Sequence, residues 1–354
     1  MKEVLQHAKQ FSASDVHLVH RVAPLLRING EIRQVKGEPL TSDNLALLLR
    51  EIASPKQIEG FEKTQHLCFS TTWEKIGRLR VSAYYHALIP ELSIRVCESS
   101  IRSLEELGLP PVLNDLARLP NGLILVTGPT GTGKTTTLNV IVDIINQEQR
   151  KKIVMIEDPV EFVHQNAKSI VIQQEVLTDT PSFQDALHSV LRQDPDVIVI
   201  GEMRSLETIE TALTAAETGH LVLATLHTPD SVQSIQRIQT IFPASQQHLI
   251  TMQLANSLQA IISQRLLPRA DGKGRVLAFE NCLINFAIRN KIRERNAHLI
   301  YHDIQTGSRS NMQLMDQSLL QLYERGEITY DTAISNARDT KLIQTRGGAT
   351  YSES

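Results

Sequence analysis

The chain is poor in several features that mark whole classes of protein. Aromatic residues make up only 4% of its 354 positions, and the formal net charge is −3. Single strands of nucleic acid are commonly held on stacked rings inside a basic groove. Neither ingredient is abundant, so no nucleic-acid partner is expected. Three cysteines, Cys68, Cys97 and Cys282, lie far apart and make no CxxC pair. A disulfide framework and a zinc knuckle are thereby excluded as organising devices. No run approaches the ~18 uncharged apolar residues of a membrane span. The opening Met1-Lys2-Glu3-Val4 lacks the apolar stretch of a signal peptide. The expectation is a cytoplasmic protein with buried thiols, any membrane work being done from outside the bilayer.

What is present divides into two parts, as the length allows. Residues 1–98 read as a small α+β domain. A helix is expected over Met1–Phe11 and short strands at Val16–Val19, Leu25–Ile28 and Ile32–Val35, with Asn29-Gly30 as a hairpin turn. A helix over Leu45–Ile52, capped by Ser42 or Asp43, precedes strands at Leu67–Ser70, Gly77–Tyr85 and Leu92–Val96. Gly108-Leu109-Pro110-Pro111 breaks the pattern inside a linker over 99–119. From Pro120 the apolar runs Leu123–Thr127, Ile153–Ile156, Ile170–Gln173, Val197–Ile200 and Val222–Leu226 suit strands covered on both faces, as in a parallel sheet. Helices are expected between them at Thr135–Gln147, Phe183–Arg192, Leu206–Glu217 and Ser231–Thr240. Two more are expected beyond, at Ser245–Ser263 and Met312–Arg325. Residues 120–345 thus form an α/β domain, with 346–354 as a flexible tail.

Gly128-Pro129-Thr130-Gly131-Thr132-Gly133-Lys134-Thr135 fits GxxxxGK[ST] at every fixed position. Glycines let backbone N–H groups turn inward around phosphates. Lys134 is placed to neutralise the β- and γ-phosphates of ATP, and the Thr135 hydroxyl to bind Mg²⁺. The loop follows an apolar strand and opens a helix, which is the context the motif requires. Ligands of an open parallel sheet sit beyond the carboxyl ends of its strands. Ile153–Ile156 ends in Glu157-Asp158-Pro159 with Glu161 beyond, Val197–Ile200 ends in Gly201-Glu202, and Val222–Leu226 ends in His227. Glu202 is expected to activate the attacking water. Glu157 and Glu161 are assigned to Mg²⁺ and its waters, and His227 to sensing the γ-phosphate. Asp158, before a proline, serves equally as a turn former. Hydrolysis also needs positive charge from outside the loop, in cis or from a neighbour. Arg80 and Arg95, on strands of the first domain, are the candidates.

With these residues in place, the chain resembles the type IV pilus retraction ATPases of the type II/IV secretion ATPase superfamily over almost its whole length. Gly128–Thr136, including Thr136, matches the family's Walker A. Ile156-Glu157-Asp158-Pro159-Val160-Glu161 resembles its acidic box. Asp194-Pro195-Asp196 through Glu202, Met203 and Arg204 resembles its Walker B segment. Ala224-Thr225-Leu226-His227-Thr228 resembles its histidine box, and Ser14-Asp15-Val16-His17-Leu18 an N-terminal signature. Ala287-Ile288-Arg289-Asn290-Lys291-Ile292 resembles the retraction group's AIRNLI motif, with Lys291 where that motif has leucine. The overlapping Arg289-Asn290-Lys291-Ile292-Arg293 reads by itself as a basic cluster on a solvated face or a contact patch. The resemblance implies a PAS-like first domain, a RecA-like P-loop second domain and a homo-hexameric ring. It also implies Mg²⁺-dependent ATP hydrolysis, nucleotide-facing roles for Arg80 and Arg95, and coupling through Ala287–Ile292. The implied partner is an inner-membrane pilus platform protein, met at the cytoplasmic face of that membrane, with a paralogous ATPase as a second one. A pilus-assembly or type II secretion ATPase and an accessory retraction paralogue are the alternatives. The absence of a four-cysteine zinc motif favours retraction over assembly.

Overall fold

The computed structural model describes residues 2–11, 13–28, 30–73, 76–97 and 100–347. Asn29 of the expected hairpin turn, the first residue of the expected linker and the tail beyond residue 347 lie outside them. The chain forms two compact units. One comprises Met1–Ile101, Ile156–Gln165 and Gln173–Ala186; the other holds the remainder.

The first unit carries α1 (Lys2–Gln10), β1 (Asp15–Leu18), β2 (Leu25–Ile28), β3 (Glu31–Gln34), α2 (Ser42–Ile52), α3 (Pro55–Thr64), β4 (His66–Trp73), β5 (Gly77–His86) and β6 (Ile89–Val96). The strands form an antiparallel sheet in the order β3-β2-β1-β6-β5-β4. Successive side chains of a strand point to opposite faces. In β5, Leu79, Val81 and Ala83 are therefore buried with Leu5, Leu45, Phe61 and Ile94, while Arg78, Arg80 and Ser82 take the other face. The cap of α2 is Thr41, one residue before the expected Ser42 or Asp43. Its hydroxyl accepts the Asn44 N–H (3.2 Å) and the Asn44 side-chain Oδ1 accepts the Thr41 N–H (3.1 Å). That reciprocal pair satisfies two orphan donors. Helix α3 has no counterpart in the expectations, because Ile58 and Phe61 are its only large apolar residues. It rests on its cap, with Ser54 and Gln57 bonded reciprocally and Pro55 at the first helical position.

The second unit begins with α4 (Val112–Ala117), which occupies part of the expected linker. Pro110-Pro111 ends one segment, but its fixed φ also suits the entry to a helix. Along the chain there follow β7 (Gly122–Thr127), α5 (Lys134–Glu148), β8 (Lys152–Glu157), β9 (Ile170–Glu175), α6 (Phe183–Val190), β10 (Val197–Ile200), α7 (Leu206–Glu217), β11 (Leu221–Leu226), α8 (Ser231–Ile241) and α9 (Gln247–Ser257), with β8, β9 and α6 each divided between the two units. Next come β12 (Leu258–Pro268), β13 (Arg275–Leu283), α10 (Phe286–Arg293), α11 (Ile300–Thr306), α12 (Met315–Glu324), α13 (Tyr330–Asn336) and α14 (Lys341–Gly347). The seven-stranded sheet runs β13-β12-β7-β11-β10-β8-β9. Strands β12, β7, β11 and β10 are parallel, so their carboxyl ends share one edge. Every residue of β7, β10 and β11 is buried.

The helix expected over Ser245–Ser263 stops at Ser257. Residues Ala260, Ile261 and Ile262 instead pair in parallel with Ile124, Leu125 and Val126 of β7, fully buried. The slot beside β7 offers backbone partners along its whole length, and the branched Ile261-Ile262 pair suits a pleated surface. Tertiary context overrides local helical preference here.

Candidate functional site

Strand β7 ends at Thr127 and the chain turns at Gly128, whose φ is 139°. A Cβ there would stand 2.4 Å from the Gln264 carbonyl oxygen and 2.9 Å from the Thr132 hydroxyl. Only glycine lets β12 pass so close to the loop. Gly133, at φ 86°, is the N-cap of α5 and supplies no side-chain cap. The first N–H groups of α5 are thus left to a ligand, and an anion suits them by hydrogen bonding and by the helix dipole. The Thr135 and Thr136 side chains are exposed at this end. Two buried bonds brace the cradle from β12: Thr127 Oγ1 to Ser263 Oγ at 2.9 Å, and Gln264 Nε2 to Thr137 Oγ1 at 2.7 Å.

Lys134 is 8% exposed. Its ammonium donates to the carbonyls of Gly128 (2.8 Å) and Pro129 (2.9 Å) and to His227 Nδ1 (3.3 Å). Burial pulls its pKa below the ordinary lysine value, against the opposing charge of Glu202. An ammonium can only donate. His227 Nδ1 must therefore accept, which leaves the proton on Nε2, and Nε2 lies 2.7 Å from Glu202 Oε1. The other oxygen of Glu202 accepts from Arg204 Nη2 at 2.8 Å. Burial raises the Glu202 carboxyl, but the hydrogen bonds from Arg204 and His227 and the charge of Arg204 outweigh it and hold the group below the ordinary value. Three residues expected from three separate strand ends thus touch in one line: Lys134, His227 and Glu202.

The first unit gathers the remaining expected residues differently. Arg80 and Arg95 are direct cross-strand neighbours on β5 and β6. Arg80 donates to Glu161 at 2.7 Å and Arg95 to Asp15 at 3.0 Å. Arg80 and Glu161, expected in separate roles, are partners of each other here. Glu157 is 5% exposed and accepts from Gln173 Nε2 at 2.8 Å. Burial, reinforced by the charges of Glu161 and Glu175, pushes its carboxyl up to about 7 against Gln173 and Arg78. Asp158 is exposed and its bond to Pro159 is cis, a turn.

No cluster of three metal-ligating side chains occurs among the described residues. Mg²⁺ keeps several waters and takes phosphate oxygens, so it needs only one or two protein oxygens. The exposed Thr135 hydroxyl in the first turn of α5 fits that demand. In α10, Ile288 and Ile292 are fully buried. Arg289 donates to the carbonyls of Ala255 (2.6 Å) and Asn256 (2.8 Å) and to Gln259 Oε1 (3.0 Å), so it caps the carboxyl end of α9. Asn290 Oδ1 accepts from Arg293 at 3.0 Å, and Lys291 pairs with Asp303. Sequence reasoning did not single out Gln264, because its strand was hidden in an expected helix. Arg204 stood only as part of a motif, although its place two residues after Glu202 was the available signal.

A phosphate cradle between β7 and α5, at the shared edge of parallel strands, defines a RecA-like P-loop NTPase core. It is joined here to a smaller N-terminal α+β domain. The chain belongs to the type II/IV secretion system protein family, which it matches over residues 1–350. It is 41% identical over 336 residues to the type IV pilus retractation ATPase PilT of Pseudomonas aeruginosa, covering 95% of this chain and 97% of that protein. To the type IV pilus ATPase PilU of the same organism it is 38% identical over 336 residues, covering 95% and 88%. Its fold matches the crystal structure of the pilus retraction motor PilT with bound ADP at a TM-score of 0.90 and 43% identity, covering 97% and 98%.

Proposed function

We propose that the chain is an ATP-hydrolysing motor that works as a homo-hexamer to retract type IV pili. The observation that carries this reading is the contact line Lys134–His227–Glu202 at the mouth of the phosphate loop. It brings a phosphate-binding cation, a histidine and a carboxylate to one place, and similarity to a pilus retraction ATPase gives that chemistry its use. Lys134 would leave the carbonyls of Gly128 and Pro129 for the β- and γ-phosphates, freeing His227 Nδ1. Thr130, Gly131, Thr132, Gly133, Thr135 and Thr136 would enclose the phosphates through backbone N–H groups and hydroxyls, while Gly128 and Pro129, which has no N–H to give, would shape the turn that leads into them. Glu202 would take the proton of the attacking water. Mg²⁺, held by Thr135 directly and by Glu157 through water, would supply neutralising charge. Arg80 and Arg95, with Glu161 orienting Arg80, would add positive charge in the assembled ring.

Coupling is assigned to Ala287–Ile292. Arg289 grips the end of α9, α9 runs straight into β12, and β12 passes the phosphate loop at Gln264. Arg289→Ala is expected to keep most ATP turnover while pilus retraction is lost; loss of nucleotide binding would refute this division of roles. The platform protein of the inner membrane, met from the cytoplasmic face, is the proposed load. No helix among the described residues is long and apolar enough to cross a membrane.

The test is deletion in cells together with turnover by the purified chain. Cells that accumulate surface pili and stop twitching support retraction, whereas bald cells indicate assembly. A second reading, an auxiliary motor beside a paralogue, has its own support. The Lys291–Asp303 pair stands where the retraction signature has leucine, and PilU is nearly as similar as PilT. A phenotype that appears only when a paralogous ATPase is also weakened would favour it.

A further inference from the structure

A hollow of about 550 Å³, lined by residues with polar or charged ends, lies beside the histidine-bearing loop, and nothing in the proposed ATPase chemistry uses it. Its lining comes from Thr228, from Gln233, Gln236, Arg237, Gln239 and Thr240 on α8, from Gln247 on α9 and from Arg295. The α8 residues follow from helical spacing. Val232, Ile235 and Ile238 are buried in the core, which turns Gln233, Gln236, Arg237 and Thr240 outward along one stripe. Arg237 and Arg295 are exposed, and the lining contains no carboxylate and no aromatic ring among the described residues. Arg295 is held at φ 59°, a left-handed conformation that non-glycine residues adopt at some cost. Such strain clusters at functional sites.

From this arrangement we infer that the hollow docks an acidic peptide segment of a partner protein. Two guanidiniums would take its carboxylates, and the glutamine amides, which both donate and accept, would pair with its backbone. Nucleic acid fits less well, since no ring is available for a base to stack on. The floor of the hollow is wired in two directions. The Thr228 hydroxyl, one residue past His227, shares a hydrogen bond with Ser234 (2.6 Å), and Gln239 Nε2 donates to the Ile292 carbonyl (3.1 Å) of α10. A segment bound there pulls on the histidine loop and on α10 together. Binding stands apart from the pilus reading; transmission of load rests on it.

The test uses the full-length protein and a panel of synthetic Asp/Glu-rich peptides, each paired with its Asn/Gln counterpart, read by fluorescence anisotropy. Acidic peptides are expected to bind and their neutral counterparts not, with affinity falling as salt rises. Arg237→Ala and Arg295→Ala should each weaken binding about threefold and the pair about tenfold. Basal ATP turnover should stay within about twofold of wild type, as expected for surface changes away from the chemistry. The double variant should lose pilus retraction in cells. Failure of every acidic peptide to bind, equal binding by the Arg237→Glu/Arg295→Glu protein, or preference for a single-stranded oligonucleotide would overturn the assignment. So would loss of basal turnover in the alanine variants. Selective peptide binding by a wild-type protein that turns over no ATP would instead remove the motor reading and leave the docking site standing.

Discussion

The two sheets of the molecule carry their polar groups in opposite ways. In the parallel part of the seven-stranded sheet, β7, β10 and β11 are buried along their whole length, and the charged groups come only where each strand has ended. In the antiparallel sheet of the first unit, the polar residues sit within the strands. Arg78, Arg80 and Arg95 alternate with Leu79, Val81 and Ile94 and take the face opposite the core. A strand covered on both faces can place function only at its ends, whereas a strand covered on one face can place it anywhere along the other. The end-borne groups converge on one point; the face-borne groups pair off as Arg80–Glu161 and Arg95–Asp15.

The sharpest way to break that contrast is to remove a strand-end group. Glu202→Ala is expected to lower the turnover of bound ATP by about a hundredfold or more, the scale of a lost general base. Nucleotide binding should survive, because Lys134 and the loop are untouched. Phosphate release set beside equilibrium binding checks both halves, and unchanged turnover would take Glu202 out of the mechanism.

Acid should separate the units next. His164, in the first unit, is 8% exposed, and burial draws its pKa down to about 4. Unfolding lets the ring bind a proton near its ordinary value of 6.5. Its contribution to stability is therefore complete above pH 6.5 and is lost as pH falls toward 4, by about 3 kcal/mol. Denaturant titrations of wild type and His164→Gln at both ends of that window should show the wild type losing this extra stability and the variant not.

A smaller effect is expected at the turn into the phosphate loop. Gly128→Ala would push a methyl group into the Gln264 carbonyl, 2.4 Å from its Cβ. A loss of about 2 kcal/mol is expected from such overpacking, with weaker ATP binding. Thermal unfolding and binding assays read the two. The smallest effect lies in the first unit and has the opposite sign. The β5–β6 hairpin turns through Ala87 and Leu88 at φ 49° and 65°, where Asn-Gly is the usual pair, and Leu88 is 88% exposed. Leu88→Gly should stabilise the protein by about 1 kcal/mol, visible as a raised melting temperature, by relieving the left-handed strain.

How much of this was legible beforehand follows from the same contrast. Runs such as Val197–Ile200 announce buried strands, and the charged residue after each run announces the edge where ligands meet. Lys134, Glu202 and His227 were readable for that reason. Strand β12 was not, since Leu254 through Leu258 continues a helical spacing and only the vacant place beside β7 decides otherwise. Gln264 went unread with it. The Arg80–Glu161 pair was equally hidden, because 81 positions separate partners that only folding brings within 2.7 Å. Helix α3 depends on its cap more than on an apolar stripe, so periodicity had little to detect.

The ammonium of Lys134 has three acceptors within the protein: two peptide oxygens and one imidazole nitrogen. An incoming anion must outbid all three at once. A lone inorganic phosphate offers few oxygens for that exchange, while a triphosphate spread along the loop offers many. At the ATP site proposed above, preference for a polyphosphate over the small anions of the cell would come from what the lysine has to give up.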